Sequence, residues 1–346
     1  MRQKPSPNTA IPPATSNNPL TVTKKYMKEN TSYKSHKWLN FLHSALILIA
    51  MGLILCLLGW LIAGVPGIFW SLLIGLTVIV ITSRMSPLTA LKAHNAYALH
   101  PSRAPRIYQI VKELSRSAGL SFTPTLYFIP SPSINAYSVG HKHNAVIALT
   151  AGMLRSLNNR EIIGVLAHEI SHIRNNDIWI MNLADAASRV TNLLALTGQF
   201  LLLLNLPLIL MEEHHISWWI IGLLIFAPSL SALMQLALAR TREFDADIDA
   251  AMLTNDPLGL AQALAKLEYS TGSWLEKIFW PGKRSEIPSV LRTHPKTEDR
   301  IQRLVSLAQD INGRPYMTWE HQHPYLPEDI NFTRDKLWQR LLRKWL

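Results

Sequence analysis

Residues 38–83 read WLNFLHSALILIAMGLILCLLGWLIAGVPGIFWSLLIGLTVIVITS, a run of 46 positions without an Asp, Glu, Lys or Arg. A helix rises about 1.5 Å per residue and a bilayer core is about 30 Å thick, so the run holds two spans of about 20 residues each. Gly64-Val65-Pro66-Gly67 lies at its middle, where a proline and two glycines supply a turn between the two. Two further uncharged runs follow, 190–211 (22 residues) and 216–239 (24 residues), each long enough to cross. The alternative for this second pair is two buried soluble helices, since Asn182, Asn192, Gln199, Asn205 and Gln235 lie in or near it.

The composition agrees with a membrane protein. Of 346 residues 48% are hydrophobic and 16% charged, against roughly 25% charged in soluble domains. The single cysteine, Cys56, lies inside the first apolar run and excludes a disulfide framework. The net charge of +11 gathers beside the spans. Residues 1–37 carry Arg2, Lys4, Lys24, Lys25, Lys28, Lys34 and Lys37 against one acid, Glu29, a net +6. That stretch is rich in Pro, Asn, Thr and Ser without apolar period, and its composition predicts a disordered basic tail. It is too long and polar for a signal-peptide start, so the first apolar run is expected to remain in the mature chain. Arg84, Lys92, Arg189, Arg240 and Arg242 flank the spans, whereas Glu212-Glu213-His214-His215 links the third to the fourth. The positive-inside rule then places the tail, 84–189 and 240–346 in the cytoplasm and both hairpin tips on the other side. Membrane flanks account for much of the basic balance, and no nucleic-acid partner is required.

The chemistry is carried by His168-Glu169-Ile170-Ser171-His172, an H-E-x-x-H motif. On a helix, positions i and i+4 share a face, so both imidazoles reach one tetrahedral zinc. Glu169 is placed to act as general base toward water on the metal. Asn158-Asn159, Glu161 and the apolar Ile162, Ile163, Val165, Leu166 and Ile170 predict that helix and its start. A random chain of this composition would give about 0.02 such motifs. A buried histidine pair would explain the histidines but not the glutamate between them. Zinc needs a third protein ligand and an open fourth position for catalysis. Glu243 and Asp247, just after the last span, are also i and i+4. One can ligate while the other orients a histidine through its second nitrogen. The spacing does not say which, and an acidic helix start on a solvated face would look the same.

Several segments in order resemble one family. These are the first span pair, Asn135-Ala136-Tyr137, the strand-like run 145–150, residues 165–172, the second span pair, Glu243-Phe244-Asp245-Ala246-Asp247, and Thr293-His294-Pro295 through Arg300. Over roughly residues 38–310 the chain resembles the HtpX-type membrane zinc metallopeptidases, relatives of the CAAX prenyl proteases and the mitochondrial peptidase Oma. The resemblance implies one zinc held by His168, His172 and Glu243, with Asp247 behind a histidine ligand. It also implies that His294 and Arg300 sit near the zinc, where either could stabilise an oxyanion. The bland alternatives are a helix-start histidine beside Pro295 and a surface arginine. The family further implies quality control of misfolded or damaged membrane proteins in a bacterial inner membrane. The 37-residue tail is extra to the family's pattern. Tyr137 stands where Phe is common, with a hydroxyl that touches substrate or faces water. A second Asn-Ala-Tyr, at 95–97, reads as coincidence.

The expected fold is mainly α and membrane-bound: four transmembrane helices plus a cytoplasmic α+β zincin-like metallopeptidase domain with a small β-sheet. The expected division is tail 1–37, hairpin 38–83, catalytic part 84–189, hairpin 190–239 and catalytic part 240–346. Residues 126–129, 134–139 and 145–150 read as strands, the last two as a hairpin around 140–144. An edge strand beside the zinc helix would let an unfolded peptide add as a further strand, with Asn135 clamping its backbone or serving only the turn. Residues 105–118 read as a scaffold helix ended by Gly119, and 297–308 as a second helix. Residues 331–346 form a basic amphipathic pattern for the inner leaflet or the catalytic domain. His141, His143, His214 and His215 read as solvated loop residues. The same chemistry would serve a CAAX-type prenyl-peptide protease, though four spans are few for one. A non-catalytic membrane scaffold is disfavoured by the intact Glu169.

Overall fold

A computed structural model of the protein describes residues 19–84, 91, 95–140, 144–204, 206–207, 218–270 and 297–311. The helix Pro19–Arg84 is interrupted at Ala63 (φ −145°, ψ 23°) and Gly64 (φ 61°, ψ −146°), giving α1 (19–62) and α2 (65–84). The positive φ at Gly64 is open to a residue without a Cβ. Beyond it the chain doubles back. A Cβ on Gly59 would fall on the backbone of Gly67, one on Gly67 would fall on that of Gly59, and one on Gly75 would touch Leu55. Gly59 and Gly67 would lie about 12 Å apart on one straight helix, so α1 and α2 form a hairpin whose backbones meet at glycine. The backbone of 19–37 is helical, where composition predicts disorder. Past Pro19 that stretch contains neither Gly nor Pro, and adding turns to an existing helix is far easier than nucleating one.

Among the described residues, three helices are long and apolar enough to cross a membrane: Trp38–Ile81, which contains the break, Asp177–Leu204 and Trp219–Thr254. The second is α6 (Asp177–Leu204) and the third lies within α7 (Trp218–Thr254). They pack on one another and on α1 through Met51, Met181, Ala184, Leu238 and Ala239, and through Ile54, Leu58, Leu224 and Ala227. Ser188 and Ser231 share a 3.0 Å hydrogen bond between α6 and α7, and the Gln199 amide donates to the Leu224 carbonyl at 2.8 Å. Polar groups in a lipid-facing bundle need such partners. Both helices run past the uncharged blocks at 190–211 and 216–239, because nothing at Arg189 or Arg240 breaks a helix. The charges mark where the apolar surface ends, not where the helix does.

The remainder is a small α+β unit. Strands β1 (Tyr97–Ala98), β2 (Thr125–Ile129), β3 (Ala136–Val139) and β4 (Val146–Thr150) form one sheet in the order β1-β2-β4-β3. β2 and β4 are parallel, and the other two pairs are antiparallel. The predicted hairpin is β3–β4, with residues 141–143 outside the described ones. The second Asn-Ala-Tyr, at 95–97, runs into the sheet at its last residue: Tyr97 pairs with Phe128 and the following Ala98 with Tyr127. The scaffold helix α3 (Pro105–Ser117) buries Ile107, Ile110, Val111 and Leu114, and the chain turns at Gly119 (φ 74°).

After the short α4 (Ala151–Ser156) comes α5 (Asn159–Asn175), with α8 (Pro257–Ser270) and α9 (Thr297–Ile311) packed near it. One core joins Leu126, Ile147 and Leu149 of the sheet to Ile162, Leu166 and Ile170 of α5, Leu260 of α8 and Leu304 of α9. The helix bearing the H-E-x-x-H motif is thus the central one, held from several sides. The loop at 212–215 and the pattern at 331–346 lie outside the described residues.

Candidate metal centre

The motif helix α5 starts with a capping box. The Glu161 N–H donates to the Asn158 side chain at 3.0 Å, and the Asn158 N–H donates to the Glu161 carboxylate at 2.8 Å. That fixes the helix register. His168 and Glu169 are buried and His172 is partly buried. Their neighbours come from α7, which arrives unbroken from the apolar bundle and buries Glu243 and Asp247. The acidic stretch is therefore no solvated helix start. Asp245 and Asp249 are buried as well.

Nε2 of His168 and Nε2 of His172 lie 3.1 Å apart. Oε2 of Glu243 is 3.4 Å from the former, and Oε1 is 3.8 Å from the latter. Two ligands at about 2.1 Å from a tetrahedral ion are about 3.4 Å apart, so these three side chains fit a small cation. Their donor atoms all lie within 4.8 Å of one another. The far side of each imidazole faces a carboxylate. Nδ1 of His168 is 3.0 Å from Asp247 Oδ1, and Nδ1 of His172 is 2.9 Å from Asp177 Oδ2. The hydrogen bond from Nδ1–H of His172 leaves its Nε2 as the ligating atom, and the Asp247 carboxylate beside Nδ1 of His168 favours the same choice there.

Without a cation a proton occupies the same acceptors. Burial by itself lowers the pKa of His168, but the contacts to Asp247 and Glu243 outweigh it and push the value up to about 10. His172 is likewise raised: its burial is outweighed chiefly by the hydrogen bond to Asp177.

Arg300, on α9, is not a surface arginine, being only 4% exposed. It donates from Nε and Nη2 to the two oxygens of Asp247, each at 2.7 Å, and its Nη1 is 2.9 Å from Glu243 Oε2. Asn135 lies just before β3, partly buried, with its backbone N–H and carbonyl bound to Thr150. Among the described residues its side-chain amide has no hydrogen-bond partner. Tyr137 is neither at the surface nor open to substrate. It is 3% exposed, packed with Leu91, Ile129, Val146 and Ala148, and burial pushes its hydroxyl up to about 12. His294 lies outside the described residues.

The sequence reading missed Asp177. It follows Asn176, whose left-handed conformation (φ 60°, ψ 29°) ends α5, and an acid after two asparagines was the available signal.

Known proteins carry the same pattern. The model of peptidase family M48 matches residues 101–308. A "Protease HtpX homolog" of Bifidobacterium longum is 33% identical over 297 residues, 81% of this chain and 96% of its own length. One from Acaryochloris marina is 34% identical over 251 residues, 65% of this chain and 80% of its own. Among solved structures, Ste24p of S. mikatae aligns with a TM-score of 0.43 and 20% identity, covering 82% of this chain and 74% of that one. With its apolar helices and its two-histidine, one-glutamate cluster, the chain belongs to peptidase family M48 and is a membrane metallopeptidase of the HtpX type.

Proposed function

We propose that the metal is zinc, one per chain, held by His168, His172 and Glu243, and that the enzyme cuts unfolded or damaged membrane proteins at the cytoplasmic face of a bacterial inner membrane. The observation that carries the zinc assignment is the ligand spacing, 3.1 Å between the imidazole nitrogens and 3.4 Å from one of them to the glutamate. Two nitrogens and one carboxylate oxygen are a donor set zinc favours. Zinc bound there supplies a Lewis acid for the scissile carbonyl and acidifies a water.

Glu169, buried beside His168 on α5, takes the proton from the attacking water and passes it to the leaving amine. Asp247 keeps the His168 imidazole in the ligating orientation. Arg300 acts by fixing Asp247 and Glu243, since its donors are directed at them. His294 serves as donor to the tetrahedral oxyanion. Substrate adds as an extended strand along β3, the outer strand of the sheet on that side, with the Asn135 amide reaching its backbone. Such pairing reads backbone rather than side chains, which suits unfolded segments. The break at Ala63–Gly64 supports a reading with four crossings, and the basic flanks support a cytoplasmic position for both termini and the site.

Glu169→Gln tests the reading. The purified variant should hold one zinc per chain and fail to cleave casein that the unaltered chain cleaves in a chelator-sensitive way. Retained turnover would remove Glu169 as the base. Zinc lost along with turnover would make Glu169 part of the metal set.

A further inference from the structure

We infer that Asp177 is the positioning residue for the metal ligand His172, and that it makes the start of a membrane helix part of the metal site. The inference rests on the proposed ligand set and extends it. Asp177 is the first residue of α6 and is 2% exposed. An acid in a helix's first turn is ordinary, because it complements the positive end of the helix dipole. Such an acid is normally solvated or caps its own helix. Asp177 does neither: among the described residues its one hydrogen-bond partner is His172, Oδ2 accepting from Nδ1 at 2.9 Å.

The local geometry is built for that contact. On an unbroken helix, side chains five residues apart point about 140° away from each other. The left-handed Asn176 ends α5 and restarts the chain as α6, which brings Asp177 back toward the imidazole. Asparagine tolerates that conformation better than most residues with a Cβ.

Asp177 is itself held from a third element. Its Oδ1 lies 3.5 Å from Nη1 of the buried Arg242 on α7, and Arg242 Nη2 is 3.2 Å from Asp245 Oδ2. The two histidines therefore have separate carboxylate supports. Asp247 stands behind His168 and is clamped by Arg300, while Asp177 stands behind His172 and is paired with Arg242. A carboxylate accepting from Nδ1–H fixes the tautomer and makes Nε2 a better donor to a cation. Asp177 touches neither substrate nor the reacting atoms.

The test is zinc affinity, measured on the full chain in detergent by competition with a chromophoric chelator. Asp177→Asn keeps the shape and removes the charge, and Asp177→Ala removes the acceptor. Losing such a support costs about 10–100-fold in metal affinity. The alanine variant should lie in that range and the asparagine variant between it and the unaltered chain. Excess zinc should restore kcat in both, with KM unchanged.

A role confined to holding the α5–α6 junction predicts the opposite: a lower melting temperature with zinc affinity within twofold of the unaltered chain. That result in Asp177→Asn, the variant least disposed to misfold, overturns the proposal. His172→Ala separates this from failure of the ligand set. If it binds zinc as tightly as the unaltered chain, the ligand assignment falls and this proposal with it. If it loses zinc while both Asp177 variants keep it, this proposal alone falls.

Discussion

Glu243 and Asp247 stand one helical turn apart and face the same imidazole from two sides, Glu243 toward Nε2 and Asp247 toward Nδ1. Under the proposed assignment Glu243→Ala leaves two protein ligands, and both metal and activity disappear. Asp247→Ala keeps three ligands and weakens zinc by about 10–100-fold, with partial recovery in excess metal. Metal analysis of the two variants checks this, and the reverse pattern would exchange their roles. A pH dependence follows from His168. Its pKa in the metal-free protein is pushed up to about 10, above the ordinary value of about 6.5. A raised pKa means that the folded state holds a proton the unfolded chain gives up. That stabilisation is complete below about pH 6.5 and is lost as pH rises through about 10. The same proton competes with zinc for Nε2, so zinc affinity should climb between neutral and alkaline pH; a flat affinity across that window would contradict it. The motif and the two carboxylates were legible in the sequence because helical spacing alone brings i and i+4 together. Asp177 was not, because its contact depends on one left-handed residue that no periodicity announces. The burial of Tyr137 was likewise hidden, since a strand residue's face depends on which neighbours cover it.

At the scale of elements, the uncharged blocks located the apolar helices but misplaced their ends. Arg240 and Arg242 end the apolar surface while α7 continues to Thr254, so the segment with Glu243 and Asp247 is an extension of a membrane helix rather than a separate one. The start of α5, by contrast, could be read directly, since a capping box is a local device. Glu161, 2% exposed, also pairs with Lys266 of α8 at 2.7 Å, so one side chain ties the helix start to a neighbouring helix. Asn158→Ala removes one half of the box and should cost about 1 kcal/mol. A lower melting temperature with unchanged zinc affinity is the expected outcome, because the proposed ligands His168 and His172 lie more than two turns further along α5. A changed affinity would mean that the helix register at His168 depends on that cap. β1 escaped the sequence reading because two residues carry no alternation to detect, and only the pairing with β2 defines them.

In the whole molecule, the metal site hangs from the membrane helices. Ser188 and Ser231 join α6 to α7. From that contact, eleven residues of α6 lead to Asp177 and twelve of α7 lead to Glu243, about 17 Å of helix on each side. No break intervenes on either path, so a change of tilt in the bundle is carried to the site as displacement. Over about 17 Å a tilt of about 5° moves the helix end by about 1.5 Å. A 2.9 Å hydrogen bond such as that between Asp177 and His172 does not survive that. Helices adapt to bilayers of mismatched thickness partly by tilting. The chain reconstituted in short-, medium- and long-chain phosphatidylcholine should therefore show its highest turnover at one thickness. It should fall by up to about 10-fold on either side, as a lost support for a metal ligand would give. Soluble unfolded casein as substrate keeps delivery through the membrane out of the measurement, and zinc affinity in the same vesicles should fall in parallel. Turnover and affinity that stay constant across all three lipids would show that the catalytic unit is mechanically isolated from its anchor, with the α5–α6 turn absorbing the tilt that Asp177 is here expected to feel.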